Sequence, residues 1–534
     1  MATSRSLGLS GLCLLIALIL TGVVVSYSSL HGKLAIPPDY DDSHSLVEGG
    51  LRLLTFQNNG LEAAWHEYLT RLPHSFLHYY FAALCMGIGG ISEPVVYWAN
   101  GIFLFAALLG LTSLLSSLPL LRSIPLIAAF ACVPAAFNLV FDFRSECAMA
   151  ALLFAGCCVL IRTIWAPPRF LISGAGITGL LFALCLGLKP AMFPYIIGMA
   201  GAGTLLWFGI GWRRQKWREI ILPAAVLWLI SVVPFAFHYV LNAEQIFGYI
   251  LFNAFQSDFW KQGGSLYEQL TFHFAGFPGK FQLGIFAWPL LFLVLISNIL
   301  AIQQRKAGDS LLRRYLFSAS FLTLFAYLGV AVNSMNQNYF GMTFHFLLTA
   351  SALLGLAWAA TLPPGKVGTG LCWAALGLAL IAWKIPVSQD YVARTRAVGG
   401  DAALMWRREA PAHLLEIVQP YWREASPPKA WVAAYGWVDG NTISWEAIRK
   451  GLPWKFWNYY ENALPPEESF PSWGEILVVP EPGVMGTIDL PSVKALPQIL
   501  SDIEKNPNIQ QIGQITDPTG KAVRVFRRMN EISH

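Results

Sequence analysis

Residues 145–162 read SECAMAALLFAGCCVLIR, an apolar run with Glu146 near one end and Arg162 at the other. A helix crosses the hydrocarbon core of a bilayer with about 20 mostly apolar residues. This stretch has close to that length, with no charge between its ends. Working outward, runs of similar length recur at roughly 8–27, 97–118, 124–141, 170–188, 191–211, 218–240, 281–303, 313–333, 342–361 and 367–386. The composition agrees. Of 534 residues, 55% are hydrophobic and 13% charged, against about 25% charged in an ordinary soluble domain. Too little polar surface remains to face water all round, so much of it faces lipid. The sequence predicts an α-helical polytopic membrane protein of about eleven spans.

Charge orients the spans. The first run follows Arg5 and lacks a clear small-residue cleavage site, so it reads as an uncleaved anchor with its N-terminus inside. Basic residues gather at Arg162 to Arg169, Arg213 to Arg218, Arg305 to Arg314 and Lys366. All four clusters are cytoplasmic only if nothing between residues 28 and 96 crosses the bilayer. The stretch in question, SFLHYYFAALCMGIGG at 75–90, is short and ends in glycine. It reads as a juxtamembrane or re-entrant helix on the outer side. Residues 28–96, 241–280 and 387–534 then share that side, and all ten histidines map to it or to its membrane edge. Polar residues that are costly near lipid mark sites, which places the working face outside.

After residue 387 charges and prolines return. Short β-type runs appear at 431–437, 475–480 and 522–528, with a helical pattern at 494–505. Strands alternating with helices predict a small α/β domain. The expected division is a transmembrane module at 1–386, with juxtamembrane helices in its outer loop 28–96, and an extracytoplasmic soluble domain at 387–534. The net charge of +5 is small and its basic residues sit in short loops, which speaks against nucleic acid as a partner. The eight cysteines show no CxxC or Cys/His zinc spacing and read as small packing residues.

Directly after the first span comes IPPDYDDSHSLVEGGLRLL, residues 36–54. Asp41 and Asp42 stand where a helix N-cap would be. One reading is capping and dipole stabilisation alone; the other is a general base at the membrane–water boundary, tuned by its neighbour. Here the sequence resembles the GT-C superfamily of membrane glycosyltransferases, in particular its aminoarabinose- and protein-mannosyltransferase-like group. In that family an acidic pair opens an amphipathic helix ending in an Arg/Asn-Leu-Leu-like run, which Asp41-Asp42 and Leu51-Arg52-Leu53-Leu54 resemble. Ser75-Phe76-Leu77-His78-Tyr79-Tyr80 is similar to the family's "PPLhYw" segment, with Ser75 and Phe76 replacing the prolines. Arg144-Ser145-Glu146 falls at the turn where relatives carry an acid. Gly187-Leu188-Lys189-Pro190 resembles the "LTKp" turn. Asn336-Gln337-Asn338-Tyr339-Phe340 resembles the late "RYf" element, with Asn338 in place of arginine.

The resemblance implies a GT-C-like fold and an inverting hexosyl- or pentosyltransferase of the inner (plasma) membrane. Its donor would be a polyprenyl-phosphate sugar, and its acceptor a hydroxyl of a glycan, lipid or protein. It makes Asp41 the base candidate, with Asp42 the alternate. Lys189 becomes a phosphate ligand rather than a snorkelling interfacial lysine. Arg144 is either a second phosphate ligand or a partner of Asp142 or Glu146. Glu146, His44, His78, Asn338, Tyr339 and His273 are substrate-side candidates, His273 within a loop whose aromatics equally suit an interfacial belt. His44, His74 and His78 share one loop, but only His74 and His78 have an i, i+4 spacing, so packing is favoured over a divalent metal. No cofactor is expected to be required. The rival is a transporter or flippase of lipid-linked glycans, which predicts charges deep within spans; here the ionisable residues gather at span ends.

Overall fold

The computed structural model describes the chain except residues 1, 39, 71–74, 214–216, 252–264, 305–309, 332–338, 363–364, 384–388, 423–427, 434–435, 459–473, 489–490 and 530–534. It divides into two compact units: Met1–Val24, Leu72–His78 and Tyr97–Pro386 form the first, and Val25–Arg71, Tyr79–Val96 and Val387–His534 the second.

The first unit is helical. Among the described residues of the chain, nine helices are long and apolar enough to cross a membrane. The expected span at 124–141 is instead a pair, Leu120–Ala131 and Pro134–Phe141, bent by 58°. Pro134 opens the second helix; with no N–H of its own, it cannot continue the ladder of the first. The expected eleventh run appears as the shorter apolar helix Gly365–Ile381. Counting the bent pair and this helix, the eleven sequence runs all find a helical counterpart.

Ser145–Ile164 and Met342–Ala359 are the inner helices, with 89% of their span residues buried, whereas Arg218–Leu241 and Gly284–Gln303 have only 28% buried. The outer pair carry leucine, isoleucine and phenylalanine on their bare faces, as contact with lipid requires. Close approach between neighbouring helices depends on small residues. A Cβ on Gly110 would stand 2.8 Å from the Ala155 backbone, and one on Gly179 would stand 2.7 Å from the Leu227 carbonyl oxygen. Ordinary side chains would push these helices apart.

The second unit is built on a five-stranded sheet of order β2-β1-β3-β5-β4, with β1 (Ala430–Val432), β2 (Phe456–Asn458), β3 (Ile476–Pro480), β4 (Ile509–Thr516) and β5 (Ala522–Arg528). β1 runs parallel to β2 and β3, while β5 pairs antiparallel with β3 and β4. The central β3 reads ILVVP and is buried throughout. Ile476 and Val478 face the Tyr391–Val418 and Gly440–Arg449 helices, and Leu477 and Val479 face Leu496, Ile499 and Ile503 of the Pro491–Glu504 helix. A strand covered on both sides has no polar face, which is why its alternation vanishes.

Two N-terminal segments complete this unit. The Tyr40–Thr70 helix packs on Gly440–Arg449, where a Cβ on Gly50 would stand 2.6 Å from Ile448 Cγ2. The 3-10 turn Lys33–Ala35 is stitched to Tyr391–Val418: Val392 N donates to the His31 carbonyl at 3.0 Å, and Arg408 Nε donates to the Ala35 carbonyl at 2.8 Å. Phe76–Gly89 has 14 residues, about 21 Å of helix. That is short of the about 30 Å hydrocarbon thickness, so it does not qualify as a span.

Candidate active site

The first unit assembles its polar cluster at helix ends. Pro134–Phe141 stops at an extended Asp142 (φ −112°, ψ 121°), and the next helix begins after Arg144 as its N-cap (φ −123°, ψ 140°). Asn100, itself buried, donates to the carbonyls of Val140 (3.4 Å) and Asp142 (3.2 Å) and so holds this turn. Tyr339 organises its side chains. The Tyr339 hydroxyl donates to Asp142 Oδ2 at 2.8 Å, and the Arg144 guanidinium lies 4.5 Å from the Tyr339 ring centroid. A cation over an aromatic face is held by the ring quadrupole.

Lys189 ends the Leu171–Leu188 helix because Pro190 follows it. A residue before proline is pushed out of the α region, and Lys189 adopts φ −140°, ψ 81°. Its Nζ lies 2.8 Å from Glu146 Oε1, with side-chain exposures of 14% and 4% respectively. Ser145 Oγ donates to the other Glu146 oxygen at 3.2 Å, and Ser75 Oγ donates to Ser145 Oγ at 3.5 Å. Glu146 also feels the charge of Arg144. Two cations and two acids thus share one rim of the unit.

Two of the candidate histidines belong to the same unit. His78 is buried and stacks on Phe143 at 4.2 Å between ring centroids. His273 caps the Leu266–Phe272 helix and is 1% exposed; its carbonyl accepts from His345 Nε2 at 2.6 Å. Burial, with His345 adding, pushes His273 down to about 3, so this ring is neutral at ordinary pH. His273 is a packed residue of the bundle.

The second unit carries the acidic-pair helix. Asp41 lies in the first turn of Tyr40–Thr70, and its side chain falls outside the described residues. Asp42 is buried and accepts from Lys33 Nζ at 2.8 Å. Two turns on, Glu48 accepts from Arg52 Nη1 at 2.6 Å and from Lys455 Nζ at 2.5 Å. Burial alone would push Glu48 up, but Lys455 and Arg52 outweigh it and hold the carboxyl well below the usual carboxylate range. Arg52 also lies 5.3 Å from the Tyr79 ring and 5.8 Å from the Tyr80 ring. His44 is exposed, its ring edge-on to Tyr79 at 5.6 Å.

Arg144, Glu146, Lys189 and Tyr339 therefore form one cluster of the first unit, while Asp42 and His44 belong to the second. Asn338 lies outside the described residues. Sequence reading overlooked Lys33, Asp142 as the Tyr339 acceptor, and the Glu48–Arg52–Lys455 network. Of these, the i, i+4 spacing of Glu48 and Arg52 was the one legible signal. Among the described residues no group of three or more His, Cys, Asp or Glu stands close enough to hold a metal ion.

The chain, with its multi-pass helical unit and its small mixed-sheet unit, has a GT-C-like fold. The likeness is to the crystal structure of ArnT from Cupriavidus metallidurans bound to undecaprenyl phosphate, at TM-score 0.50 and 12% identity, over 97% of this chain and 98% of that one. The apo ArnT from the same organism is similar at TM-score 0.42 and 13% identity, over 82% and 74% of the two chains. AglB, an archaeal oligosaccharyltransferase from Archaeoglobus fulgidus in complex with an inhibitory peptide and a dolichol-phosphate, gives TM-score 0.48 and 11% identity, over 97% and 74%. No protein-family model matches the chain, and no curated protein matches it.

Proposed function

We propose that the protein is a membrane glycosyltransferase that moves a sugar from a polyprenyl-phosphate donor to an acceptor hydroxyl at the outer face of the plasma membrane. The observation that carries this is the Lys189–Glu146 pair, with Arg144 beside it, at helix ends of a GT-C fold. A phosphate leaving group needs fixed cations where its charge develops, and Lys189 and Arg144 are cations held at one rim. In the transfer, an acceptor oxygen loses its proton to a carboxylate and attacks the anomeric carbon of the sugar. The bond from that carbon to the phosphate oxygen breaks, and its electron pair leaves with the phosphate. Lys189 and Arg144 steady that phosphate; Asp41 takes the proton. Attack opposite the leaving group inverts the anomeric centre.

The test is to incubate purified protein with a panel of polyprenyl-phosphate sugars and acceptor glycans, lipids and peptides. Wild type should release polyprenyl phosphate and glycosylate one acceptor class. Asp41→Asn should lower the rate by roughly 10²–10⁴, the usual worth of a general base, without changing membrane insertion. Normal turnover in that variant removes the base assignment, and no release from any donor removes the enzyme.

A further inference from the structure

Asp41 and Asp42 are neighbours in sequence, yet the structure gives one of them a partner that sequence reading never considered. Lys33 and Asp42 form an ion pair of 2.8 Å with side-chain exposures of 4% and 1%. The pair is walled in by Tyr391, whose ring centroid lies 5.9 Å from Lys33 Nζ. Beside it, Ile36, Val392 and Leu404 make a small apolar cluster. The backbone of the same turn is tied down by the Val392–His31 and Arg408–Ala35 hydrogen bonds. A carboxylate so enclosed gains from its partner and loses if it releases it, because charge in a dry site has no water to fall back on. A general base must instead present a lone pair to a proton that arrives and departs with substrate.

We infer that the two acids divide their work: Lys33 is a positioning residue that holds Asp42 as a fixed anchor for the first turn of the Tyr40–Thr70 helix, and the base role falls to Asp41. This rests on the glycosyltransferase reading for its catalytic half; the anchoring half stands without it.

Four variants of the full-length protein test it. Lys33→Met should lower kcat at least tenfold while the donor KM stays within about threefold, and Lys33→Arg should restore most of the rate. Because Lys33→Met removes the cation paired with a buried carboxylate and can fail to fold, the second arm replaces both charges. Lys33→Met/Asp42→Leu should regain activity to within tenfold of wild type, where Asp41→Asn does not. A double variant as inactive as Asp41→Asn, or a Lys33→Met enzyme with wild-type kcat, overturns the assignment. Hydrogen exchange reads the anchor without activity: amides 42–46 should lose protection in Lys33→Met and regain it in the double variant. Unchanged protection there overturns the anchor, whereas wild-type protein inert toward every donor overturns the glycosyltransferase reading instead.

Discussion

Two lysine–carboxylate pairs of the same length, 2.8 Å, occur in this chain: Lys189 with Glu146 in the first unit and Lys33 with Asp42 in the second. Their surroundings differ. Lys189 sits at a helix end with 14% of its side chain exposed and a second cation, Arg144, beside its acid. Lys33 is 4% exposed, with its Nζ 5.9 Å from the Tyr391 ring centroid. On the readings proposed above, the same bond serves a ligand site in one place and a structural rivet in the other. Bond length does not separate the two roles; access does.

Breaking each pair should give opposite fingerprints. Lys33→Met removes the cation paired with a buried carboxylate and should cost about 3–5 kcal/mol of stability, read as a lowered denaturation midpoint in detergent. Lys189→Met should lower that midpoint by less, because Arg144 still acts on the buried Glu146, and should lower sugar transfer by roughly 10²–10³, the scale of one lost donor to developing charge. If the two variants lose stability equally, the contrast between site and rivet is gone.

The contrast sharpens with pH. His273 is neutral in the folded protein down to about 3, whereas the unfolded chain binds a proton below its ordinary value near 6.5. Its contribution is whole above that value and drains away as pH falls from about 6.5 toward 3, by ~1.4 kcal/mol per unit. His273→Phe should flatten this slope in acid denaturation curves of the wild type; an unchanged slope would show that the ring titrates normally. The smallest effect belongs to Tyr339→Phe. Losing one hydrogen bond to Asp142 should cost about 0.5–1.5 kcal/mol and leave Arg144 its aromatic face, so the donor KM should rise by about tenfold at most. A complete loss of transfer would make the Tyr339 hydroxyl part of the chemistry.

The spans were readable because lipid enforces composition over long stretches, and eleven apolar runs became eleven helical features. The bend at Pro134 was not, since proline inside a span is tolerated wherever neighbours satisfy the freed carbonyls. In the second unit β3 and β5 announced themselves by their apolar residues. β4, with the sequence IQQIGQIT at the sheet edge, has too little buried surface to show a pattern. For the site, Arg144, Glu146 and Lys189 were found as charges at span ends. Lys33 looked like any lysine beside an anchor, and Lys455 is separated from Glu48 by 407 residues. No local rule reports such a partner, because the pairing depends on how the chain returns.

That return has a consequence for biogenesis. The second unit draws on chain from both sides of Tyr97–Pro386, so roughly 290 residues of bundle must be synthesised before it can close, about 15–60 s at ~5–20 residues per second. Through that interval Lys33 can already neutralise Asp42, nine residues away, and Arg52 can hold Glu48 one helical turn away. Lys455 arrives last. The nascent loop carries provisional counter-ions for Asp42 and Glu48, so these two acids can wait already paired for the rest of their domain.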